Sequence, residues 1–301
     1  MPSPVDPSQP HPARLRVGVI GAGRVGVVLG AALARAGHTV TAVSAVSDAS
    51  VRRAAALLPG VPVQRPPAVL AGADLVLLTV PDDALPGLIN GLAATDAPLE
   101  GRLLAHASGR YGVGLLDAAT RRGGLPLALH PVMTFAGRAD DLNRLTGICF
   151  GVTAPAALRP VAEALVIEMG GEPVFIDEDH RALYHAALAS GANHLVTLVV
   201  EAAELLGMAG VRDPARMLRP LLSTALDNAL VLGDAGLTGP VARADADTVA
   251  SHVAALQRAS PEALRAYVAL ARLTADRALA AGLLAPPDAQ RLLDVLAGAP
   301  R

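Results

Sequence analysis

Between Arg14 and about Asp177, short apolar runs alternate with stretches whose apolar residues recur at helical spacing. That alternation is the signature of a parallel sheet assembled from βαβ units. The runs are Leu15–Ile20, Thr39–Ser44, a weak Val61–Val63, Asp74–Val80 closed by Pro81, Leu103–Ala105, Leu127–Leu129, Ile148–Val152 and Pro173–Ile176. Helices are predicted over Arg24–Ala36, ending at Gly37, over a segment capped by Ser47 or Asp48 and running to Leu58, and after Pro155. After Asp177 the period-two signal stops. One long helix is expected from Asp179 to about Gly207, then helices over 214–232, 245–258, 261–282 and 286–297. The predicted fold class is therefore α/β. A Rossmann-type doubly wound parallel sheet over 13–177 is followed by an all-α domain over 178–301, and the Pro-rich 1–12 is a disordered tail.

Composition narrows the chemistry. Apolar residues are 52% of the 301 positions and no block of like charge interrupts them, so two packed cores are expected. None of the 25 basic residues is lysine, which excludes a Schiff-base lysine, a P-loop lysine and a lysine general acid. A net charge of -2 and 2% aromatic residues give no electrostatic footprint or stacking platform for nucleic acid. Cys149 stands alone, so there is no intramolecular disulfide and no thiolate metal cluster; the histidines lack recognised ligand spacing, and no metal is expected. The tail lacks the apolar core of a signal peptide. Ala186–Val200 is interrupted by Ser190, Asn193 and His194, which reads as a buried helix rather than a membrane span. A cytoplasmic, membrane-free protein is expected.

The first strand runs directly into Gly21-Ala22-Gly23-Arg24-Val25-Gly26, a G-x-G-x-x-G string that opens a helix. In that context Gly21 permits the turn, Gly23 lets a pyrophosphate approach the backbone, and Gly26 lets the helix pack on the strand. The end of the second strand selects the dinucleotide, since an acid there suits NAD and an uncharged or basic site suits a 2′-phosphate. Ser44 occupies that position, Ser47 follows, and Arg52 and Arg53 lie in the next helix. NADP(H) is the expected cofactor. Val80 and Pro81 at a strand end should border it, while Asp82 and Asp83 read as helix caps.

His106 and His130 each follow a strand, which puts both on the rim where cofactor and substrate meet. Reducing a carbonyl needs a proton donor for the developing alkoxide, a role suited to histidine near neutral pH. Ser108 could hydrogen-bond a substrate oxygen or a nicotinamide carboxamide. On the long helix His185, Ala189 and Asn193 recur every four residues and share a face about 80° wide. Thr238 and Arg243 flank a Gly-Pro turn, and Arg243 could hold a substrate carboxylate.

These segments together resemble the bacterial Rossmann-like and DUF2520 domain proteins. The resemblance rests on Gly21–Gly26, Val80-Pro81-Asp82, His106–Gly109, His130-Pro131, Phe135, Tyr184-His185-Ala186, Asn193, and Leu237–Pro240 with Arg243, Asp245 and His252. It implies a relative of pyrroline-5-carboxylate, 6-phosphogluconate and ketopantoate reductases, dimeric through its helical domain. Hydroxyacid dehydrogenases of that wider group carry a lysine one turn before the asparagine on the long helix. Ala189 stands there instead, so another donor must serve; His130 or His185 could replace the lysine, and the choice among His106, His130 and His185 stays open.

The resulting expectation is an NADP(H)-dependent oxidoreductase and homodimer that reduces a small, carboxylate-bearing carbonyl, best a 2-oxo acid such as ketopantoate. Asn193 would orient the substrate. Reduction of an imine of the pyrroline-5-carboxylate type, and a sensor that binds the dinucleotide without chemistry, are the alternatives.

Overall fold

The structure is a computed structural model and describes residues 14–299; the expected tail, 1–12, lies outside the described residues. The first compact unit, which extends to Leu188, contains seven strands: β1 (Arg16–Ile20), β2 (Thr39–Ser44), β3 (Leu75–Leu78), β4 (Leu103–His106), β5 (Leu125–Pro131), β6 (Cys149–Thr153) and β7 (Glu172–Phe175). Between them lie α1 (Arg24–Arg35), α2 (Asp48–Leu57), α3 (Pro66–Ala71), α4 (Leu85–Ala93), α5 (Asp117–Thr120), α6 (Asp140–Arg144) and α7 (Arg159–Glu168). The strand order is β2-β1-β3-β4-β5-β6-β7. The chain leaves β1 to one side and returns to its other side with β3, so the topological switch point lies outside the carboxyl ends of β1 and β3.

Alternate strand residues feed two cores, as period two requires. Val17, Val19, Leu75, Leu77, Leu103 and Ala105 pack with α1 and α7 on one face. Ile20, Val76, Leu78 and Leu104 pack with α3 and α4 on the other. The turn after α1 is tied to α7 by a buried histidine: His38 Nδ1 accepts the Leu15 N–H at 3.1 Å. That leaves Nε2 to carry the proton it donates to Glu168, 2.7 Å away.

Two expectations need correction. Val61–Val63 forms a single bridge, Val43 to Val63, instead of a strand; Pro62 has no N–H to extend a ladder, and Pro66-Pro67 start α3 immediately after. The sheet is also not wholly parallel, because β5 and β6 pair antiparallel. The segment joining them holds only the five-residue α6, about 7.5 Å long, too short to cross the sheet face and return a parallel strand.

The second unit, from Ala189, is helical. It takes in most of α8 (Arg181–Met208), then α9 (Pro214–Leu232), α10 (Ala246–Ala259), α11 (Pro261–Ala280) and α12 (Pro286–Ala297). Side-chain caps start three of these helices: Asp213 for α9, Asp245 for α10 and Ser260 for α11. The core is built by α10–α12 around Val249, Leu264, Ala275, Leu292 and Leu296.

Strand signals end at 177, yet the units divide later, inside α8. The first turns of α8 belong with the sheet because their side chains are anchored there. The Glu178 carboxylate, just before α8, accepts the N–H groups of Val113 and Gly114 at 2.8 and 3.0 Å, and Arg181 Nη1 donates to the Gly151 carbonyl at 3.2 Å. The expectation that Ala186–Val200 is a buried helix fails in the single chain. Val196 is 63% exposed and Val200 51%, and Arg181 is the one buried residue of α8. Glu178–Met208 is long and apolar enough, by length and composition alone, to span a bilayer.

Candidate active site

The glycine turn closes β1 onto α1 at the switch point. Gly21 has a φ of +103°, and a Cβ there would lie 2.7 Å from the Thr79 carbonyl carbon. A Cβ on Gly26 would meet Thr79 Oγ1 at 2.2 Å and the Gly21 carbonyl oxygen at 2.3 Å. Thr79 Oγ1 locks the turn by donating to the Gly21 carbonyl at 2.8 Å. Gly23 differs: its nearest foreign atom would be 3.8 Å from a Cβ, so its missing side chain leaves open space over the turn. No side chain caps α1 at Gly23, and its first turn holds no acid. The amides of Arg24, Val25 and Gly26 therefore face outward with the positive end of the helix dipole. Those features fit a dinucleotide pyrophosphate.

The β2 end is organised by backbone and caps. The Ser44 carbonyl accepts the N–H groups of Gly21 and Ala22 at 3.2 and 2.8 Å, and its side chain is buried. The Ser47 hydroxyl caps α2 in a reciprocal box with Ser50, which commits it to the helix. Val80 is half-buried and Pro81 exposed beyond β3.

At the ends of β4 and β5 the three histidines take different environments. His106 is 1% exposed; its Nε2–H donates to the Gly112 carbonyl at 2.9 Å and its Nδ1 accepts the Ser108 N–H at 3.3 Å. It is therefore a neutral brace for the 108–112 loop. Burial pushes it down to about 4, against the Gly112 bond and aided by Arg181. His130 Nδ1 lies 2.8 Å from the Tyr184 hydroxyl. Its pKa is also lowered to about 4, by burial first and then by the Arg181 and His185 charges. His185 stands edge-on to His130, ring centres 6.2 Å apart. Gly109 makes this packing possible, since a Cβ there would lie 2.6 Å from His185 Cδ2 and 2.9 Å from His130 Nε2.

Four residues that the sequence reading did not place in the site shape this cluster. Tyr184 is held over Gly151 of β6, where a Cβ would meet its hydroxyl at 2.2 Å, and burial raises its pKa. With the phenol donating to Nδ1, neutral His130 keeps its proton on Nε2, the nitrogen nearest Gly109. Arg181 is 1% exposed, and its Nε and Nη2 have no partner among the described residues; burial lowers its pKa. Glu178 anchors the 112–114 loop. Asp82 corrects an expectation: it caps no helix, since Ala84 is the N-cap of α4, and instead accepts the Ser108 hydroxyl at 2.8 Å. Tyr184 carried one usable signal, being one of three tyrosines in the chain. The others depend on loop contacts that no spacing rule reports.

The remaining candidates fall in the helical unit. Asn193 is exposed on α8, and its carbonyl accepts the Thr197 hydroxyl at 3.3 Å. Thr238 and Arg243 are exposed around the turn before α10, and Arg243 N–H donates to the Gly239 carbonyl at 3.1 Å. Thr238 lines an apolar cavity of about 440 Å³ with Leu198, Leu205, Leu256 and Tyr267. There His252 Nδ1 is 3.0 Å from the Tyr267 hydroxyl.

Two domain families match the chain: a Rossmann-like domain over residues 1–131 and the domain of unknown function DUF2520 over 148–274. The chain is a Rossmann-like and DUF2520 domain protein. A glycerol-3-phosphate dehydrogenase [NAD(P)+] of Bradyrhizobium sp. (strain ORS 278) is 32% identical over 169 residues, 51% of this chain and 50% of that protein. This chain thus spans about half the length of the curated relative it matches. Among solved structures, protein BF3122 of Bacteroides fragilis superposes with a TM-score of 0.69 at 23% identity, covering 87% of this chain and 98% of its own. A reductive aminase from Aspergillus terreus, in complex with NADPH and ethyl levulinate, has a TM-score of 0.67 at 19% identity and covers 94% and 99%. At these identities the likeness shows the fold. In this Rossmann-like and DUF2520 protein the two matched regions leave 132–147 between them, the stretch that carries Phe135, Gly137 and Arg138.

Proposed function

We propose that this protein is an NADP(H)-dependent oxidoreductase that reduces a small C=N substrate, an imine, at the ends of β4 and β5. The carrying observation is the open glycine turn at the same sheet edge as His106, His130 and Tyr184, which are held by hydrogen bonds and whose two histidines burial keeps neutral. The nicotinamide, when bound, supplies the hydride. The chain's own residues then have three tasks. Gly21–Gly26 with the first turn of α1 bind the pyrophosphate, His130 presents Nε2–H with its tautomer set by Tyr184, and Ser108 held by Asp82 shapes the loop that includes Gly109. An imine that arrives protonated needs no strong acid, which suits histidines held neutral by burial. The NADPH-bound reductive aminase of the same fold supports this reading; the glycerol-3-phosphate dehydrogenase, over half its length, supports only the dinucleotide-dependent redox part of it.

Reduction of a 2-oxo acid stands second. The glycerol-3-phosphate dehydrogenase relative favours it, because dehydrogenating an alcohol is carbonyl reduction run in reverse, but a carbonyl needs a proton that neutral His106 and His130 are poor at giving. Screening NADPH oxidation against cyclic imines and small 2-oxo acids, ketopantoate included, separates the two. Faster turnover of 2-oxo acids overturns the imine assignment, and NADPH binding without oxidation of either class favours the sensor alternative. Replacing His130 and His185 together by alanine is expected to cost at least about 100-fold in kcat while NADPH still binds. Unchanged turnover removes them from the chemistry.

We also read the protein as a cytoplasmic homodimer with no membrane or nucleic-acid partner. The dimer part of this reading is supported by the exposed apolar side chains on α8 and α9, among them Leu195, Val196, Met217, Leu221, Leu230 and Val231, since bare apolar surface marks an interaction site.

A further inference from the structure

A second cavity of about 420 Å³ lies between α2 and the loop that follows β5. Its lining includes Arg52, Arg53 and Arg138 and no carboxylate; the rest is alanine, leucine and Gly137. Every ion pair among the described residues involves other cations, so these three guanidinium groups have no acidic partner there. Arg53 Nε is buried and has no hydrogen-bond acceptor among the described residues. A buried donor left unsatisfied is costly, and its presence in a cleft marks a place where an acceptor is missing.

The loop is built to stand where it does. Gly137 has a φ of +74°, and a Cβ on it would lie 2.8 Å from Arg53 Cδ and 3.1 Å from both Cα and Cγ of Arg24. Glycine therefore lets the loop touch α1 and α2 at once. Asp141 could have neutralised the cluster, but it is buried and turned into the loop. Its Oδ2 accepts the N–H groups of Ala136 and Gly137 at 2.8 and 2.7 Å, and Oδ1 faces Arg144 at 3.4 Å. That carboxylate fixes the loop while leaving Arg138 free.

Arg24 is the first residue of α1, beside the pyrophosphate turn, and after Ser44 at the end of β2 no acid occurs until Asp48, the first residue of α2. Gly137 of the lining lies against Arg24, which brings the cleft to the flank of the glycine turn. We propose that Arg53 and Arg138 clamp the 2′-phosphate of the cofactor from opposite sides, one from α2 and one from the loop joining the two matched domain regions. The assignment rests on the NADP(H) reading above and adds the residues that choose NADP over NAD. Guanidinium groups suit this task because their planar donor forks match phosphate oxygens.

The test is calorimetric titration of the full chain and of Arg53→Ala/Arg138→Ala with NADPH, NADH, 2′,5′-ADP and inorganic phosphate. The unmodified chain should bind NADPH roughly 100-fold or more tighter than NADH, as two charge-assisted contacts imply. The double variant should bring the two dinucleotides to within about tenfold, with NADH as the internal reference for an intact fold, and 2′,5′-ADP binding should vanish. If the double variant does not fold, exposed Arg138→Ala alone should still narrow the preference by about tenfold. A preference for NADPH that survives these substitutions overturns the clamp and leaves the NADP(H) reading standing. Equal affinities in the unmodified chain overturn the clamp, as does inorganic phosphate matching 2′,5′-ADP, which would make this a site for a separate phosphate. Binding of neither dinucleotide overturns the functional reading itself.

Discussion

The sheet unit and the helical unit treat their apolar residues in opposite ways. In the first, strand residues such as Val17, Val76 and Leu77 are at most 2% exposed, and helices of the same chain cover both faces. In the second, α10–α12 share a core, whereas α9 buries only Leu218 and leaves Leu230 78% and Val231 81% exposed. A doubly wound sheet satisfies its hydrophobic demand internally; long helices such as α8 and α9 state the same demand and leave its satisfaction to another surface. The difference teaches that apolar periodicity reports how much surface must be covered, and stays silent on which molecule covers it.

The sharpest way to break this comparison lies in the sheet unit. Gly26→Val should collapse the packing of α1 on Thr79, with a loss of about 3 kcal/mol or more, while Gly23→Ala should leave thermal stability nearly unchanged and weaken dinucleotide binding by at least about tenfold. Thermal melts and titration of the two variants check this. If Gly23→Ala binds as well as the parent, the turn is structural only.

Acid should be the next largest lever. His106 and His130 titrate near 4 in the folded chain because of burial and near 6.5 when unfolded. The unfolded state thus binds more protons between those values, so stability is full above about 6.5, falls as pH drops through that window, and levels off below about 4. At about 1.4 kcal/mol per unit the two histidines together represent several kcal/mol. Urea unfolding at a series of pH values should show it; a midpoint that holds constant from pH 7 to 4.5 would contradict the buried neutral histidines.

The helical unit offers a third test. Leu230→Glu/Val231→Glu should shift the protein from dimer to monomer in sedimentation equilibrium, weakening association by roughly 100-fold or more. A parent chain that is already monomeric ends the dimer reading. The smallest effect belongs to Glu168→Ala, which strands the buried His38 Nε2–H and should cost about 1–2 kcal/mol in urea unfolding; an unchanged midpoint would show that water replaces the carboxylate.

Much of the site was legible because its signals are local. The G-x-G-x-x-G string follows a strand and opens a helix within six residues, so the turn could be placed from sequence. His106 and His130 announce themselves by following apolar runs. What could not be read came from contacts distant along the chain. Asp82 looks like a helix cap until Ser108 is brought to it, and Tyr184 is an ordinary helical aromatic until β6 sets Gly151 beneath its hydroxyl. Arg138 gains meaning only when Gly137 is seen lying on Arg24 and Arg53. The weak run at Val61–Val63 was misread for the converse reason, since its apolar residues are right and its proline forbids the ladder.

By itself, then, the order of residues determined the βαβ pattern, the helical second half, the glycine turn and the absence of any lysine chemistry. These follow from period, backbone freedom and residue type, all of which act over a few positions. Tertiary structure alone decided which histidines are held neutral, which arginines stand without an acid, and where along α8 one unit gives way to the next. Desolvation and charge pairing are summed over neighbours that only folding assembles.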